Sequence, residues 1–297
     1  MTEADFIAAL RALPLHPGAH DLRDDTATIA GLTVTTDTIV EGVHFLPDDA
    51  PADVAWKLVA VTLSDLAAKG APVEGVLLNY PLSDEAWDRA FLDGLRGALE
   101  AFGCSLIGGD TVSLPANAPR VLTLTAIGRD ASAPPRSGAQ VGDQLWVTGT
   151  IGDAGAGLRI ARGTRGPRAL LSRYHRPAPR LAEGRRLAPV VHAMMDVSDG
   201  LLIDAARMAE ASRLAVTVEL ASLPLSPDYL VFAGTDLAAH LAAATAGDDY
   251  ELLFALPVGD EPPVDAVLVG RFREGSGIAI TWRSAPVQLP ASLGFQH

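Results

Sequence analysis

Apolar and polar residues alternate along this chain with two different periods. A helical period opens it: Phe6, Ile7, Leu10 and Leu13 fall on one face behind Thr2, a capping residue with Asp5 three positions on. Pro14 and Pro17 close that segment. Period two takes over in 26–37, where TATIA and LTVTTD read as strands on either side of the Gly31 turn. The run VAWKLVAVTLSDLAAK, 54–69, reads as a helix capped by Asp53 and stopped by Gly70 and Pro72. Residues 73–80 read as a strand and 84–102 as a helix ending at Gly103. CSLIG then reads as a strand, GGD as a turn, and 120–128 as a further strand.

The stretch DASAPPRSGAQVGD, 130–143, breaks both periods and is the best domain boundary, dividing the chain into 1–137 and 138–297. Beyond it QLWVTGT reads as a strand, GDAGAGLRIAR as a Gly-rich turn entering a helix, and RGTRGPR as a loop. Helices are expected over 178–188, 199–212 and 236–244, and strands at AVTVEL, YELLFALP, 265–270 and 278–282. Both halves mix the two element types, so the fold class is α/β or α+β.

Composition narrows the function. With 297 residues, 48% of them apolar, the chain can bury a core in each of two modest domains. No apolar run approaches the roughly 18 residues of a membrane span. The acidic, amphipathic start MTEADFIAALRAL has no basic leader region, so a soluble cytoplasmic protein is expected. Cys104 is the only cysteine, which excludes an internal disulfide or a cysteine metal cage. A net charge of −13 argues against nucleic acid and anionic membrane as partners. Anionic ligands remain open if divalent cations stand between them and the protein.

The acids therefore matter. Asp24–Asp25, Asp37, Asp65, Asp110, Asp196, Asp199 and Asp248–Asp249 fall at or near the ends of expected elements. Taken singly, each is an ordinary turn former or cap. Asp65 is different, because it interrupts an almost wholly apolar helix: it needs a metal or a salt bridge to Lys57 or Lys69, unless that face of the helix is solvated. No phosphate-binding G-x-x-x-x-G-K-[ST] loop, kinase H-R-D or D-F-G, G-x-S-x-G or H-E-x-x-H is present. GDAGAG offers backbone N–H groups at a helix start that can hold a phosphate, though a tight strand-to-helix turn explains it better.

Read in order, DDTATI, TTDTIVEGVHF, LSDLAAKGA, IGGDTVS, RSGAQVGD, VTGTIGDAGAGL, RPAPRL, MDVSDGL and GDDYELLF resemble the thiamine-monophosphate kinase family over nearly the whole chain. That family is similar to aminoimidazole ribonucleotide synthetase. The resemblance implies a two-domain fold: an N-terminal mixed sheet with helices that pairs in a homodimer, and a C-terminal α/β sandwich. It implies phosphorylation of thiamine monophosphate by ATP, with several Mg²⁺ ions. Matched by motif, Asp25, Thr35, Thr36, Asp37, Asp65 and Asp110 would hold metal from the first domain, and Asp196 and Asp199 from the second. Gly109, Asp110, Arg136 and Ser198 would contact ATP, and His44, Asp248 and Phe295 the thiamine phosphate. Asp37, Asp65, Asp110 and Arg136 would assist transfer, with no general base. Where the family has G-I-G-D-D, this chain has Asp21-Leu22-Arg23-Asp24-Asp25, without the glycines that ease the turn. Two other readings compete: another ATP-using member of the superfamily, and a non-catalytic nucleotide- or metal-binding regulator.

Overall fold

The computed structural model describes residues 2–82, 84–115, 117–129 and 133–296. Its first half is a five-stranded sheet with the order β1-β2-β5-β3-β4. The strands are β1 (Ala27–Ile29), β2 (Leu32–Val40), β3 (Val73–Leu82), β4 (Leu106–Ser113) and β5 (Val121–Arg129). All pairs are antiparallel except β3 with β4. Helices α1 (Glu3–Leu10), α2 (Pro51–Ala68) and α3 (Glu85–Phe102) complete this half. Thr2 and Asp5 form the expected reciprocal cap on α1, and Asp84 caps α3, which ends on left-handed Gly103.

Two expectations change here. Helix α2 starts at Pro51 rather than after Asp53, because a proline with its φ already set suits the first helical position. GGD is not a turn: β4 runs straight through it beside β3, with Gly108 paired to Leu77 and Asp110 to Asn79. Gly109 is there for closeness, since a Cβ would lie 1.8 Å from the Leu78 carbonyl oxygen.

The second half is a seven-stranded sheet with the order β12-β11-β8-β10-β6-β9-β7. Its strands are β6 (Gln144–Thr148), β7 (Ala193–Asp196), β8 (Ala215–Glu219), β9 (Leu252–Leu256), β10 (Ala266–Arg273), β11 (Gly277–Trp282) and β12 (Ala285–Val287). Around it lie α4 (Asp153–Ala161), α5 (Arg168–His175), α6 (Leu181–Leu187), α7 (Leu201–Ala211), α8 (Pro227–Ala233) and α9 (Leu237–Ala244). Helices α5 and α8 and strands β7 and β12 lie outside the elements expected from sequence. In α5 only Leu170 and Tyr174 are buried, too few to mark a helical face in sequence.

Helix α2 joins the halves, which explains its apolar character all round. Leu58, Leu63 and Leu66 pack under the first sheet with Leu122, Leu124 and Val76. Ala67 and Ala68 pack with Leu187, Met194 and Phe254 of the second half. The seam with α6 is tight: a Cβ on Gly184 would lie 1.9 Å from the Ala67 carbonyl oxygen. No helix among the described residues is long and apolar enough to cross a membrane.

Candidate active site

Between the two sheets lies a cavity of about 1060 Å³. Of the residues singled out by sequence, Asp25, Thr36, Asp37, His44, Asp65, Arg136, Asp196, Ser198, Asp199, Asp248 and Phe295 line it. Thr35 stands just behind, its hydroxyl donating to Asp65. Gly109 and Asp110 do not line it; they sit on the exposed edge strand β4.

The acids arrive from separate elements. Asp25 lies on the loop before β1, Asp37 within β2, Asp65 on the open side of α2, and Asp196 at the end of β7. Asp25, Asp65 and Asp196 each bring a carboxylate oxygen within 4.8 Å of the others. Burial is the main force on their protonation. It pushes Asp196 up to about 8, with Asp25 adding repulsion, and Asp37 up to about 6, again with help from Asp25. Asp65 rises well above the carboxylate range through burial and the charges of Asp37, Asp196 and Asp25. For Asp25, burial acts upward too, but Arg136 and Lys69 outweigh it and hold it low. Neither salt bridge foreseen for Asp65 forms: Lys57 pairs with Asp248, and Lys69 with Asp24 and Asp25.

This donor set fits a hard divalent cation. Oxygens from three carboxylates converge, a threonine hydroxyl stands beside them, and Asp37 Oδ2 is buried with no hydrogen-bond partner among the described residues. Arg136 donates to Asp25, and its own buried Nε has no partner among the described residues, so a guanidinium N–H remains for an anion.

The loop before β1 shows what the missing glycines do. His20, Asp21 and Leu22 take φ values of 50°, 56° and 53°, the left-handed region that glycine enters freely. Arg11 holds the strained turn, its Nε donating to the Asp21 carbonyl at 2.9 Å and its Nη2 to that of Leu22 at 3.2 Å.

On the other wall, the turn between β7 and α7 is built by a residue the sequence reading passed over. Asp204, 0% exposed, accepts the main-chain N–H groups of Ser198 at 3.2 Å and Asp199 at 3.1 Å. Its other oxygen accepts from Arg207, which also donates to Asp199. The tail crosses this turn: Phe295 N donates to the Asp199 carbonyl at 2.9 Å, and the Phe295 ring, 44% exposed, borders the cavity.

GDDYELLF spends each polar side chain in a different direction. Asp248 meets Lys57, and Tyr250 donates to Asp248. Asp249 accepts from Gly152 N at 2.8 Å and Ala154 N at 3.4 Å, so the start of α4, open to a phosphate on the sequence reading, is already capped. Glu251 accepts from Thr148 and from Arg180. No local pattern marks these roles, since each partner is distant in sequence.

Comparison with known proteins agrees with this architecture. Residues 23–129 match the family model described as AIR synthase related protein, N-terminal domain, and residues 140–281 match its C-terminal counterpart. The thiamine-monophosphate kinase of Caulobacter vibrioides is 37% identical over 323 aligned residues, covering 100% of this chain and 91% of the relative. The chain belongs to the thiamine-monophosphate kinase family. Another member, from Escherichia coli O157:H7, is 39% identical over 245 residues, covering 80% of this chain and 74% of its own. Among solved members, the structure described as AaThiL complexed with AMPPCP and TMP superposes with a TM-score of 0.88 at 28% identity. It covers 100% of this chain and 97% of that one. The kinase family's two-sheet frame is thus shared over the full length.

Proposed function

We propose that this protein transfers the terminal phosphoryl group of ATP to the phosphate of thiamine monophosphate, giving thiamine diphosphate and ADP. The observation that carries the reading is the meeting of Asp25, Asp37 and Asp65 from one half with Asp196 from the other on one cavity. The AaThiL structure, named as a complex with AMPPCP and TMP, supports both substrates.

A phosphate monoester is already a nucleophile at neutral pH, so no general base is required. The obstacle is repulsion, about 4 kcal/mol for each pair of unit charges 4 Å apart at an effective dielectric of 20. Bound by these aspartates, Mg²⁺ supplies the positive charge that offsets this repulsion and the charge of the transferring group. Asp25, Asp65 and Asp196, with Asp37, Asp199 and the hydroxyls of Thr35 and Thr36, are the residues that would hold it. Arg136 and Ser198 take the nucleotide phosphates. His44, Asp248 and Phe295 form the acceptor side, the ring of Phe295 offering a face to the cationic thiazolium. His44 Nδ1 accepts from Val40 N at 3.0 Å, which leaves its proton on Nε2 as a donor.

Gly109 and Asp110 enter through a second copy of the chain. Strand β4 is an open edge carrying exposed Leu106, Ile107 and Val112, with Leu82 and Val121 exposed on neighbouring strands. A homodimer through this sheet would cover them and bring Gly109 and Asp110 into a shared site. The domain limits 1–137 and 138–297 and a cytoplasmic setting complete the reading.

The test is incubation of purified protein with ATP, Mg²⁺ and thiamine monophosphate, following thiamine diphosphate by chromatography. Equimolar ADP and thiamine diphosphate are expected. Nucleotide binding without product would favour a regulator. ADP release indifferent to thiamine monophosphate would overturn the choice of acceptor.

A further inference from the structure

The chain has two lysines against many arginines, and folding buries both. Lys69 belongs to the acid cluster already described. Lys57 lies outside it, in the second turn of α2, with its side chain 3% exposed. Its Nζ donates to Asp248 Oδ2 at 2.7 Å and to the His44 carbonyl at 2.9 Å, and stands 4.2 Å from the centre of the Tyr174 ring. Tyr174 is anchored in turn, its hydroxyl donating to Asp49 at 2.9 Å. Three segments far apart in sequence thus close on one ammonium: the loop after β2, helix α5 and the loop before β9.

Asp248 needs such an anchor. It sits at φ 70°, a conformation unfavourable for a residue with a side chain. Its carboxylate is 25% exposed and faces the cavity, so without a fixed cation it would turn toward water. With Lys57 on Oδ2 and the Tyr250 hydroxyl on Oδ1 at 3.0 Å, both oxygens are committed. The same ammonium ties down the main chain of His44, which belongs with Lys57 to the first half while Asp248 belongs to the second.

We propose that Lys57 is a positioning residue for the acceptor, fixing Asp248 and His44 as one unit so that thiamine monophosphate meets a preset pair. The inference rests on the reading above that these two residues form the acceptor side of the cavity. On the ATP side, Arg136 pairs with Asp25 instead, and Ser198 meets this unit only through its carbonyl, which accepts the main-chain N–H of Asp248 at 2.8 Å, so Lys57 bears directly on neither ATP-side side chain. A cation that only held the two halves together would weaken both ligands alike or lower stability alone.

Titration calorimetry in Mg²⁺ separates these cases, using thiamine monophosphate without nucleotide and, separately, a non-hydrolysable ATP analogue. Lys57→Met is expected to weaken thiamine monophosphate about tenfold, the equivalent of one positioned polar contact, and the analogue less than about twofold. In an Asp248→Asn background the Lys57→Met effect should largely vanish, because the two residues act through one contact. Equal weakening of both ligands, unchanged acceptor affinity, or additive effects in the double variant would overturn the proposal. Lys57→Gln, which keeps an N–H donor, replaces Lys57→Met if that variant does not fold, with the same selectivity expected and the same results overturning it. Wild-type protein that binds no thiamine monophosphate would sink the function and this inference together. Wild-type binding with an indifferent Lys57 variant would sink this inference alone.

Discussion

Replacing Asp196 by Asn should make the metal-free protein more stable and the metal-loaded protein relatively weaker. Asp196 is 3% exposed and repelled by Asp25, Asp204 and Asp37, and burial with those charges raises it to about 8. Each tenfold change in proton affinity corresponds to about 1.4 kcal/mol, so ionising Asp196 in the fold costs on the order of 5 kcal/mol at alkaline pH. The sign follows from the raised value. The folded state binds the proton more tightly than the unfolded chain, so wild-type stability falls as pH rises from about 4 through about 8. Asn carries no such penalty. Thermal melts in chelator should therefore show wild type and Asp196→Asn together near pH 4 and separating as pH rises, the variant ahead at pH 9. If only about 1 kcal/mol of the penalty is realised, the gap is still about 2–4 °C for a chain of this size. Saturating Mg²⁺ narrows the gap, since a ligand at 100 times its Kd adds about 2.7 kcal/mol to the protein that binds it, and reverses the order where the realised penalty is smaller than that. A pH-independent gap, a variant that melts lower at pH 9 in chelator, or equal Mg²⁺ stabilisation of both proteins would refute this account of the cluster.

Phe295→Ala should raise the KM for thiamine monophosphate by about three- to tenfold, as expected for loss of a cation–π face, and leave that for ATP nearly unchanged in steady-state assays. Ala30→Asn should raise the melting temperature by about 1–3 °C with activity intact: Ala30 is exposed at φ 52° before Gly31, where a two-residue hairpin turn favours Asn-Gly. If the proposed homodimer forms through β4, Ile107→Arg on that open edge should shift it to monomer in sedimentation velocity. An unchanged dimer would move the interface elsewhere.

What sequence could show was whatever local chemistry decides. The cap at Thr2, the helix starts at 84 and 236 and the Gly31 hairpin lie where the pattern puts them, because each rests on neighbours a few residues apart. The spacing of aspartates marked them as candidates, and the motif resemblance, not periodicity, said that they belong together. GGD misled, because a glycine pair reads as a turn until the close approach of β3 is known. Asp204, Glu251 and Arg207 were passed over, and Asp249 and Lys57 were noted without the partners they take, for the same reason. Their work is to hold other polar groups, and in sequence they look like residues of a solvated surface or an ordinary helix.

The fit of Gly184 against Ala67 has a consequence for traffic. Swinging the two sheets apart would drag a helix backbone across another at van der Waals distance, along a seam lined by Ala68, Leu187 and Met194. The two sheets are therefore expected to move as one frame, which leaves the turn at 22–25 and the tail carrying Phe295 as the edges of the cavity between them. Turnover should therefore respond to stiffening of those two edges far more than to a clamp across the sheets.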